Sequence, residues 1–256
     1  MNISKEFPIL EFDPAREAFI EPSRVIKPAD VPKRCVICFF KEVIDGLADK
    51  KILRKITESR CECGTIPLYE MEVRGDKITV FNPLIGAPAA AGLLEEAIAL
   101  GCDRFIACGG AGVLQKDIAV GHLIIPISAV RDEGTSYHYL EPAREVMADE
   151  HATGTIKNVL NRHGVKYLEA KTWTSDAFYR ETREKVGMRK QEGCVTVEME
   201  CSAFFAVAQF RNVTFGQILY GGDDLSGNDW DDREWVDRKD IRENIFKLAV
   251  ECCLEL

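Results

Sequence analysis

Apolar runs of strand length alternate with longer runs of helical periodicity along most of the 256-residue chain. The alternation begins at Cys35, where the apolar run CVICFF precedes residues 41–56, whose apolar side chains recur at helical spacing. Strands that alternate with helices favour a sheet that is at least partly parallel and covered on both faces. We therefore predict a single-domain α/β fold for residues 35–256 with three layers, α/β/α, in which helices flank a mixed, twisted sheet.

Turn residues separate the individual elements. Arg74-Gly75-Asp76 lies between two strand-like runs and predicts a hairpin, and Gly164 ends a helical run. The predicted helices cover residues 41–56, 86–100, 145–164, 199–210 and 240–256. The predicted strands cover residues 35–40, 66–73, 77–82, 105–108, 122–130, 165–173 and 213–220.

The first 34 residues differ from the rest of the chain. They are rich in proline and charge, and the prolines are spaced so that no long helix can form. We expect residues 1–34 to be an extension that wraps around the surface of the domain or of a neighbouring subunit.

The charge pattern and hydropathy exclude several classes of partner. The formal net charge is −9, and no basic block could neutralise a run of phosphates, so no nucleic-acid partner is expected. No stretch approaches the roughly 20 apolar residues of a membrane span, and the first residues lack the apolar core of a signal peptide. We expect a cytoplasmic protein without a membrane partner.

The ten cysteines do not indicate a disulfide framework or a metal site. Most lie inside apolar or helix-forming runs, and a chain of this length needs no covalent cross-links, so we expect reduced, mostly buried thiols. Cys61-Glu62-Cys63 and Cys252-Cys253 both lack a second ligand pair at zinc spacing. No metal ion is therefore expected.

Two carboxylates bracket a methionine where an otherwise apolar helix begins, in the run Glu198-Met199-Glu200. Carboxylates that are buried there would need hydrogen-bond partners. The 2′- and 3′-hydroxyls of a ribose could supply them, and a methionine could pack against the less polar face of the sugar. The alternative is that the acids only complement the dipole of the helix.

The chain resembles the nucleoside phosphorylase superfamily, which includes hexameric bacterial purine nucleoside phosphorylases, uridine phosphorylases and methylthioadenosine nucleosidases. The resemblance extends from about Cys35 to the C terminus and rests on the order and spacing of several motifs. It implies a phosphorylase-like arrangement of the sheet and an enzyme that cleaves the N-glycosidic bond of a nucleoside. The motifs are GAPAAAGLLEEAIALG, CGGAGVLQKDIAVGHLIIPISAVRDEG, SDAFY, VEME and GGDD.

Roles for several residues follow from this resemblance. It implies that Glu200 binds the ribose hydroxyls, that Met199 lines the sugar and that Glu198 belongs to the same pocket. Phe178, in the SDAFY motif, corresponds to the aromatic residue that stacks on the base in relatives. A plain core phenylalanine is the alternative for Phe178.

The resemblance also implies a general acid. Relatives that act on purines have an aspartate 23 residues after the second glutamate of the VEME motif, which is Asp223 here. The leaving purine gains negative charge in an oxocarbenium-like transition state, and a proton on N7 relieves it. We expect partial burial and the charges of Asp224 and Glu200 to raise the pKa of Asp223. A solvated turn is the alternative for the Asp223-Asp224 pair.

The chain departs from the family at the phosphate site. Phe39, Phe40 and Val43 stand where glycine, aspartate and arginine are expected after the first strand. Further along the chain, Ala107 replaces a second arginine and Gly110 a hydroxyl residue.

Other groups could replace the missing phosphate ligands. The backbone amides of residues 109–112, beginning with Gly109 and Gly110, could form an anion-binding nest, with charge from Lys41, Arg131 or a neighbouring subunit. Each of these cations has a plain surface role as its alternative. Glu42 lies within one position of the glutamate that activates water in the nucleosidases.

The reading that we favour is a nucleoside phosphorylase, a pentosyltransferase of purine salvage that converts a purine-type nucleoside and phosphate to base and ribose 1-phosphate. A nucleosidase that uses water is the first alternative, and a nucleoside-binding protein without catalysis is the second. Inorganic phosphate is the possible co-substrate, and no metal or organic cofactor is expected. The resemblance implies a homo-oligomer, either a dimer or a hexamer.

Overall fold

The computed structural model of the protein describes residues 3–256. The centre of the fold is a mixed sheet of ten strands in the order β10-β6-β8-β9-β5-β1-β4-β3-β2, and β7 pairs with β6 beside this series. The strands are β1 Arg34–Cys38, β2 Leu53–Cys61, β3 Gly64–Val73, β4 Asp76–Phe81, β5 Arg104–Val113, β6 Leu123–Asp132, β7 Glu145–Met147, β8 Tyr167–Ser175, β9 Cys194–Glu198 and β10 Thr214–Asp224.

Helices cover both faces of the sheet. On one face Leu94 and Phe204 belong to an apolar core together with strand side chains, and on the other face Ile44, Ile156 and Phe246 form a second core. This arrangement confirms the predicted three-layer α/β fold. The helices are α1 Pro22–Val25, α2 Lys41–Asp49, α3 Ala87–Leu100, α4 Glu150–Arg162, α5 Arg183–Gln191, α6 Cys201–Arg211 and α7 Lys239–Glu255.

Part of the sheet closes into a ring. Strand β5 pairs in parallel with β1 up to Cys38↔Cys108, and beyond that point it pairs antiparallel with β9 at Gly112↔Val197. Because β10 pairs with both β5 and β6, the strands β5, β9, β8, β6 and β10 form a closed circuit. Closure brings the end of β9 and the end of β10 to opposite sides of β5.

Three predicted element boundaries were wrong, and the hairpin of β3 and β4 was predicted correctly. Helix α2 ends at Asp49, because Lys51 adopts a left-handed φ of 58° and the chain continues into β2, which pairs with β3. Residues 145–147 form β7 beside β6 instead of starting α4, which Asp149 caps. Strand β5 continues through the glycines to Val113 because β10 and β9 supply hydrogen-bond partners there.

Residues 3–33 contain only the short helix α1 and one 3₁₀ turn, Pro8–Leu10, as their prolines suggest. A buried ion-pair cluster anchors this extension to the body of the fold. Arg211 at the end of α6 donates from Nε to Glu95 Oε2 at 2.7 Å and from NH1 to Glu21 Oε2 at 3.3 Å. Both glutamates are buried, at 7% exposure for Glu21 and 6% for Glu95. Contact of the extension with a neighbouring subunit stays a prediction.

All ten cysteines are free thiols, and all except Cys61 and Cys63 are buried, as expected. Within residues 3–256, none of the helices combines the length and the apolar character that crossing a bilayer requires.

We predict that Arg211→Met lowers the free energy of unfolding by about 3 kcal/mol, because it leaves two buried carboxylates without their cation. Urea unfolding monitored by circular dichroism measures the loss. The matched control is Lys33→Met, whose ion pair with Asp103 is exposed, and it should change stability by less than about 0.5 kcal/mol. Equal effects of the two substitutions would contradict the anchoring role.

Candidate active site

Polar side chains collect where strands of the ring end. Ser175 ends β8, Glu198 ends β9 and Asp223 lies at the end of β10. The carboxyl ends of strands in an open α/β sheet are the usual place for ligands. Gly112 of β5 lies between the last two ends, because a Cβ on it would be 3.1 Å from Cγ1 of Val197 and 3.3 Å from Oδ1 of Asp223.

Glu198 fixes the turn from β9 into α6. Its Oε2 accepts the backbone N–H groups of Glu200 at 2.8 Å and Cys201 at 2.7 Å, which are free donors at the start of a helix. Its Oε1 accepts the hydroxyl of Thr174 at 2.6 Å. Both oxygens therefore already have protein partners. This geometry favours a positioning role for Glu198 within the sugar pocket to which the resemblance assigns it.

Glu200 is the buried carboxylate that remains open to a ligand. Its Oε1 accepts the backbone N–H of Gly86 at 2.6 Å, just before α3 begins, and the backbone N–H of Met199 also interacts with the carboxyl group. Burial raises the pKa of Glu200 to about 8, and the charge of Glu198 adds to the effect. Met199 lies between the two glutamates and is half-buried. Glu200 thus accepts fewer protein hydrogen bonds than Glu198, which suits the ribose role predicted for it.

A supporting network behind the motif was missed by the sequence analysis. The hydroxyl of Thr174 accepts the backbone N–H of Ser202 at 2.9 Å, and the hydroxyl of Ser202 donates to Glu133 Oε1 at 2.9 Å. The other oxygen of Glu133 accepts the N–H of Ser136 at 2.9 Å. Glu133 follows β6 directly, so the expectation of polar ligands after strands could have identified it.

Asp223 lies at the strand end opposite Glu198 and is half-buried. Burial is the main cause that raises its pKa above the ordinary value, and Asp224 adds a smaller like-charge effect. Trp230 opposes this by donating its indole N–H to Oδ2 at 2.7 Å, and the positive charge of Arg233 acts in the same direction. The upward shift of the Asp223 pKa and burial as its main cause agree with the expectation from the sequence. The charge of Glu200, which we also expected to act, is not among the causes.

A second carboxyl near Asp223 was not predicted. Glu181 follows the 3₁₀ turn Phe178–Arg180, and its side chain has no hydrogen-bond partner within residues 3–256. Burial and the charges of Asp223 and Glu198 raise its pKa to about 8. The ring of Phe178 is 52% exposed, so it is free to contact a ligand, and it packs against Tyr179 with centroids 4.1 Å apart.

The structure does not form the anion-binding nest that we considered at residues 109–112. These residues continue β5 without a positive φ, whereas a nest requires a left-handed residue in such a turn. A Cβ on Gly109 would be 3.1 Å from the ring of Phe39, and one on Gly110 would be 2.6 Å from the ring of Trp235. Two aromatic rings therefore cover the glycines on which an anion was expected.

The charged side chains proposed for this region have other partners. Arg131 donates from Nε to Ser136 at 2.8 Å and from NH1 to the carbonyl of Glu141 at 2.7 Å. Glu42 accepts a hydrogen bond from NH1 of Arg242 at 2.7 Å. Lys41 is exposed and pairs with Asp45. Arg131 thus braces the loop after β6, and Glu42 belongs to an ion pair between α2 and α7.

The fold and the site define an α/β protein whose strand ends present buried carboxylates beside a strand-to-helix turn. The chain belongs to the phosphorylase superfamily, because the model of that family matches residues 33–253.

Individual relatives agree with this assignment. A guanosine phosphorylase from Halorubrum lacusprofundi is 26% identical over 198 residues, which are 77% of this chain and 81% of the relative. The uridine phosphorylase from Vibrio fischeri ES114 superimposes with a TM-score of 0.76 at 23% identity, covering 92% of this chain and 98% of that one. The AMP nucleosidase from Bacteroides thetaiotaomicron VPI-5482 superimposes with a TM-score of 0.71 at 18% identity, covering 88% and 89%. At these identities the superpositions establish the fold alone.

We predict that the protein without ligand loses stability as the pH rises from 5.5 to 8. The folded pKa of Glu200 lies near 8 and the unfolded value near about 4.3, so the folded state binds more protons throughout that range. Carboxylates with lowered pKa values, such as Glu145, titrate below this pH range and do not contribute to the change. Glu200→Gln should reduce the dependence, measured as the urea midpoint against pH, whereas the exposed control Glu184→Gln should not. A steeper dependence in Glu200→Gln would contradict the assignment.

Proposed function

We propose that this protein is an enzyme that cleaves the N-glycosidic bond of a purine-type nucleoside. The single observation that supports it most is the presence of two differently placed carboxyls at nearby strand ends, the buried Glu200 at the start of α6 and Asp223 with a raised pKa. Membership of the phosphorylase superfamily supports the same reaction class.

The sugar binds to the motif at the start of α6. Glu200 accepts hydrogen bonds from the ribose 2′- and 3′-hydroxyls, and Met199 packs against the less polar face of the ring. Glu198 holds the turn so that the carboxyl group of Glu200 stays in place. When Glu200 is ionised, above its raised pKa, its negative charge favours the positive charge that develops on an oxocarbenium-like transition state.

The base leaves with help from Asp223. As the bond breaks, negative charge builds up on the purine, and a protonated carboxyl at N7 neutralises it. A raised pKa keeps a larger fraction of Asp223 protonated near neutral pH, which is the form that an acid needs. The half-exposed ring of Phe178 provides an apolar face for the planar base. The name of the guanosine phosphorylase relative agrees with a purine.

Phosphate is the first candidate for the acceptor, on the strength of the phosphorylases among the relatives. Water is the second candidate, and a specific observation favours it. Phe39 and Trp235 cover Gly109 and Gly110, so an incoming dianion would meet two rings where relatives place polar groups. Losing charge-assisted hydrogen bonds to phosphate costs about 1.5–3 kcal/mol each. The Bacteroides thetaiotaomicron structure bears the name of a nucleosidase.

We also propose that the enzyme is a homo-oligomer. Large apolar side chains are exposed around the site, with 73% exposure for Ile85 and 88% for Tyr179. Large apolar side chains that are this exposed in a single chain are often covered at contact surfaces between subunits. Analytical ultracentrifugation tests the proposal, and a sedimentation coefficient of a monomer at micromolar concentration would refute it.

We predict that Asp223→Asn lowers kcat by at least about 100-fold, because an amide cannot donate the required proton to the base. Inosine, guanosine and adenosine are the test substrates, with release of the base followed chromatographically. The amide oxygen can still accept the Trp230 hydrogen bond, so thermal melting should not change. The neighbour Asp224→Asn is the control and should retain most activity. A wild-type rate in Asp223→Asn would disprove the acid assignment.

The acceptor is identified by running the same panel, with uridine added, in phosphate-free buffer and then with phosphate. Phosphorolysis predicts base release only with phosphate and formation of ribose 1-phosphate. Hydrolysis predicts equal release in both buffers and free ribose. Saturable binding of a nucleoside without turnover would refute the enzyme and leave a binding protein.

A further inference from the structure

The loop after β10 places an indole directly on Asp223. Trp230 Nε1 donates to Asp223 Oδ2 at 2.7 Å, although the Trp230 side chain itself is 65% exposed. We propose that Trp230 is a positioning residue that holds Oδ2 of Asp223 and thereby confines the transferable proton to Oδ1. This inference rests on the proposed function, in which Asp223 is the acid.

The loop of residues 225–230 has a defined geometry. Backbone hydrogen bonds between Asp224 and Asp231 close its base in both directions, at 2.8 and 3.1 Å. Leu225, the first residue of the loop, donates its backbone N–H to the carbonyl of Val113 in β5 at 2.9 Å. Because both ends are fixed to strands, the position of the indole is set by the fold.

A second tether joins this loop to the segment that follows Phe178. Arg183, at the start of α5, donates a hydrogen bond to the carbonyl of Asn228 and lies 3.7 Å from a carboxylate oxygen of Asp229. The loop with the indole and the segment with the proposed base-stacking ring are therefore connected. A base that enters beside Phe178 comes close to the Trp230 loop.

The chemistry of the indole decides which oxygen bears the proton. A tryptophan N–H can donate a hydrogen bond but cannot accept one. Oδ2 therefore presents a lone pair to the indole, and the neutral acid favours its proton on Oδ1, the oxygen without the indole donor. Oδ1 is 3.3 Å from the position of a Cβ on Gly112, where β5 pairs with β9. Trp230 thus keeps the proton on the oxygen that lies between the ends of β9 and β10.

The same bond limits how readily Asp223 becomes protonated. A hydrogen bond to the charged form of a carboxyl lowers its pKa. The other groups that act on the pKa of Asp223 are its own backbone N–H and Arg233, which also lower it, and Asp224, which raises it. Asp223 in turn raises the pKa values of Glu181 and Tyr220. The hydrogen bond from Trp230 opposes the rise in the pKa of Asp223 that burial and Asp224 cause. Asp223 can therefore both give up and regain its proton.

The decisive variant is Trp230→Phe, which keeps an aromatic ring and removes the N–H donor. Without the N–H donor the pKa of Asp223 rises, so the basic limb of the kcat/KM pH profile of this variant should move to higher pH by about one unit. Its kcat should fall about 10-fold, because Oδ2 then competes with Oδ1 for the proton. The control Arg183→Gln loosens the loop but leaves the indole bond, and its limb should not move. A fall in kcat without a shift of the limb would overturn the positioning role.

A measurement without substrate separates this inference from the proposed function. Indole emission depends on the charge of the carboxyl that it contacts, and subtracting the Trp230→Phe spectrum removes the signals of Trp173 and Trp235. The difference signal should titrate with pH in the wild-type protein and stay flat in Asp223→Asn. Identical titrations in the two proteins would overturn the inference. A titrating indole together with full activity of Asp223→Asn would uphold the bond and refute Asp223 as the acid.

Discussion

The hydrogen bonds of Glu198 to the first turn of α6 are the interaction on which the site depends. A helix that begins inside the core has free backbone N–H groups, and burying them without acceptors is costly. Glu198 satisfies the N–H groups of Glu200 and Cys201, and Thr174 links that carboxylate to the next strand. The cap therefore also fixes the position of Glu200.

Closure of the ring of strands brings Asp223 close to the turn between β9 and α6. Because β10 pairs with both β5 and β6, its end returns to the side of β5 opposite β9. The two ends lie close together, since a Cβ on Gly112 would lie 2.6 Å from Cδ1 of Leu225 and would displace that side chain. The carboxyl group proposed for the sugar and the proposed proton donor can then face one ligand from two strands that are not neighbours in the sheet.

Aromatic residues lie near Gly109 and Gly110, where the resemblance to the family predicts polar groups. Trp235 packs on Gly110, and Arg242 lies over the rings of Phe40 and Trp235 at 5.3 and 5.2 Å. Where the resemblance predicts polar groups, the chain has aromatic rings and the ion pair between Arg242 and Glu42. The proposed acceptor side of the site is therefore much less polar than the side proposed for the sugar.

The sequence by itself determined the fold class, the hairpin of β3 and β4, and the positions of Glu200 and Asp223 at the ends of elements, because periodicity and turn residues are local signals. It did not locate β7 or the end of α2, since pairing with distant strands decides both. It also gave no signal for Trp230 or for the hydrogen bonds of Glu198 to the first turn of α6. Only the tertiary structure decided which carboxylate caps the helix, because that depends on donors and acceptors supplied by residues far apart in the chain.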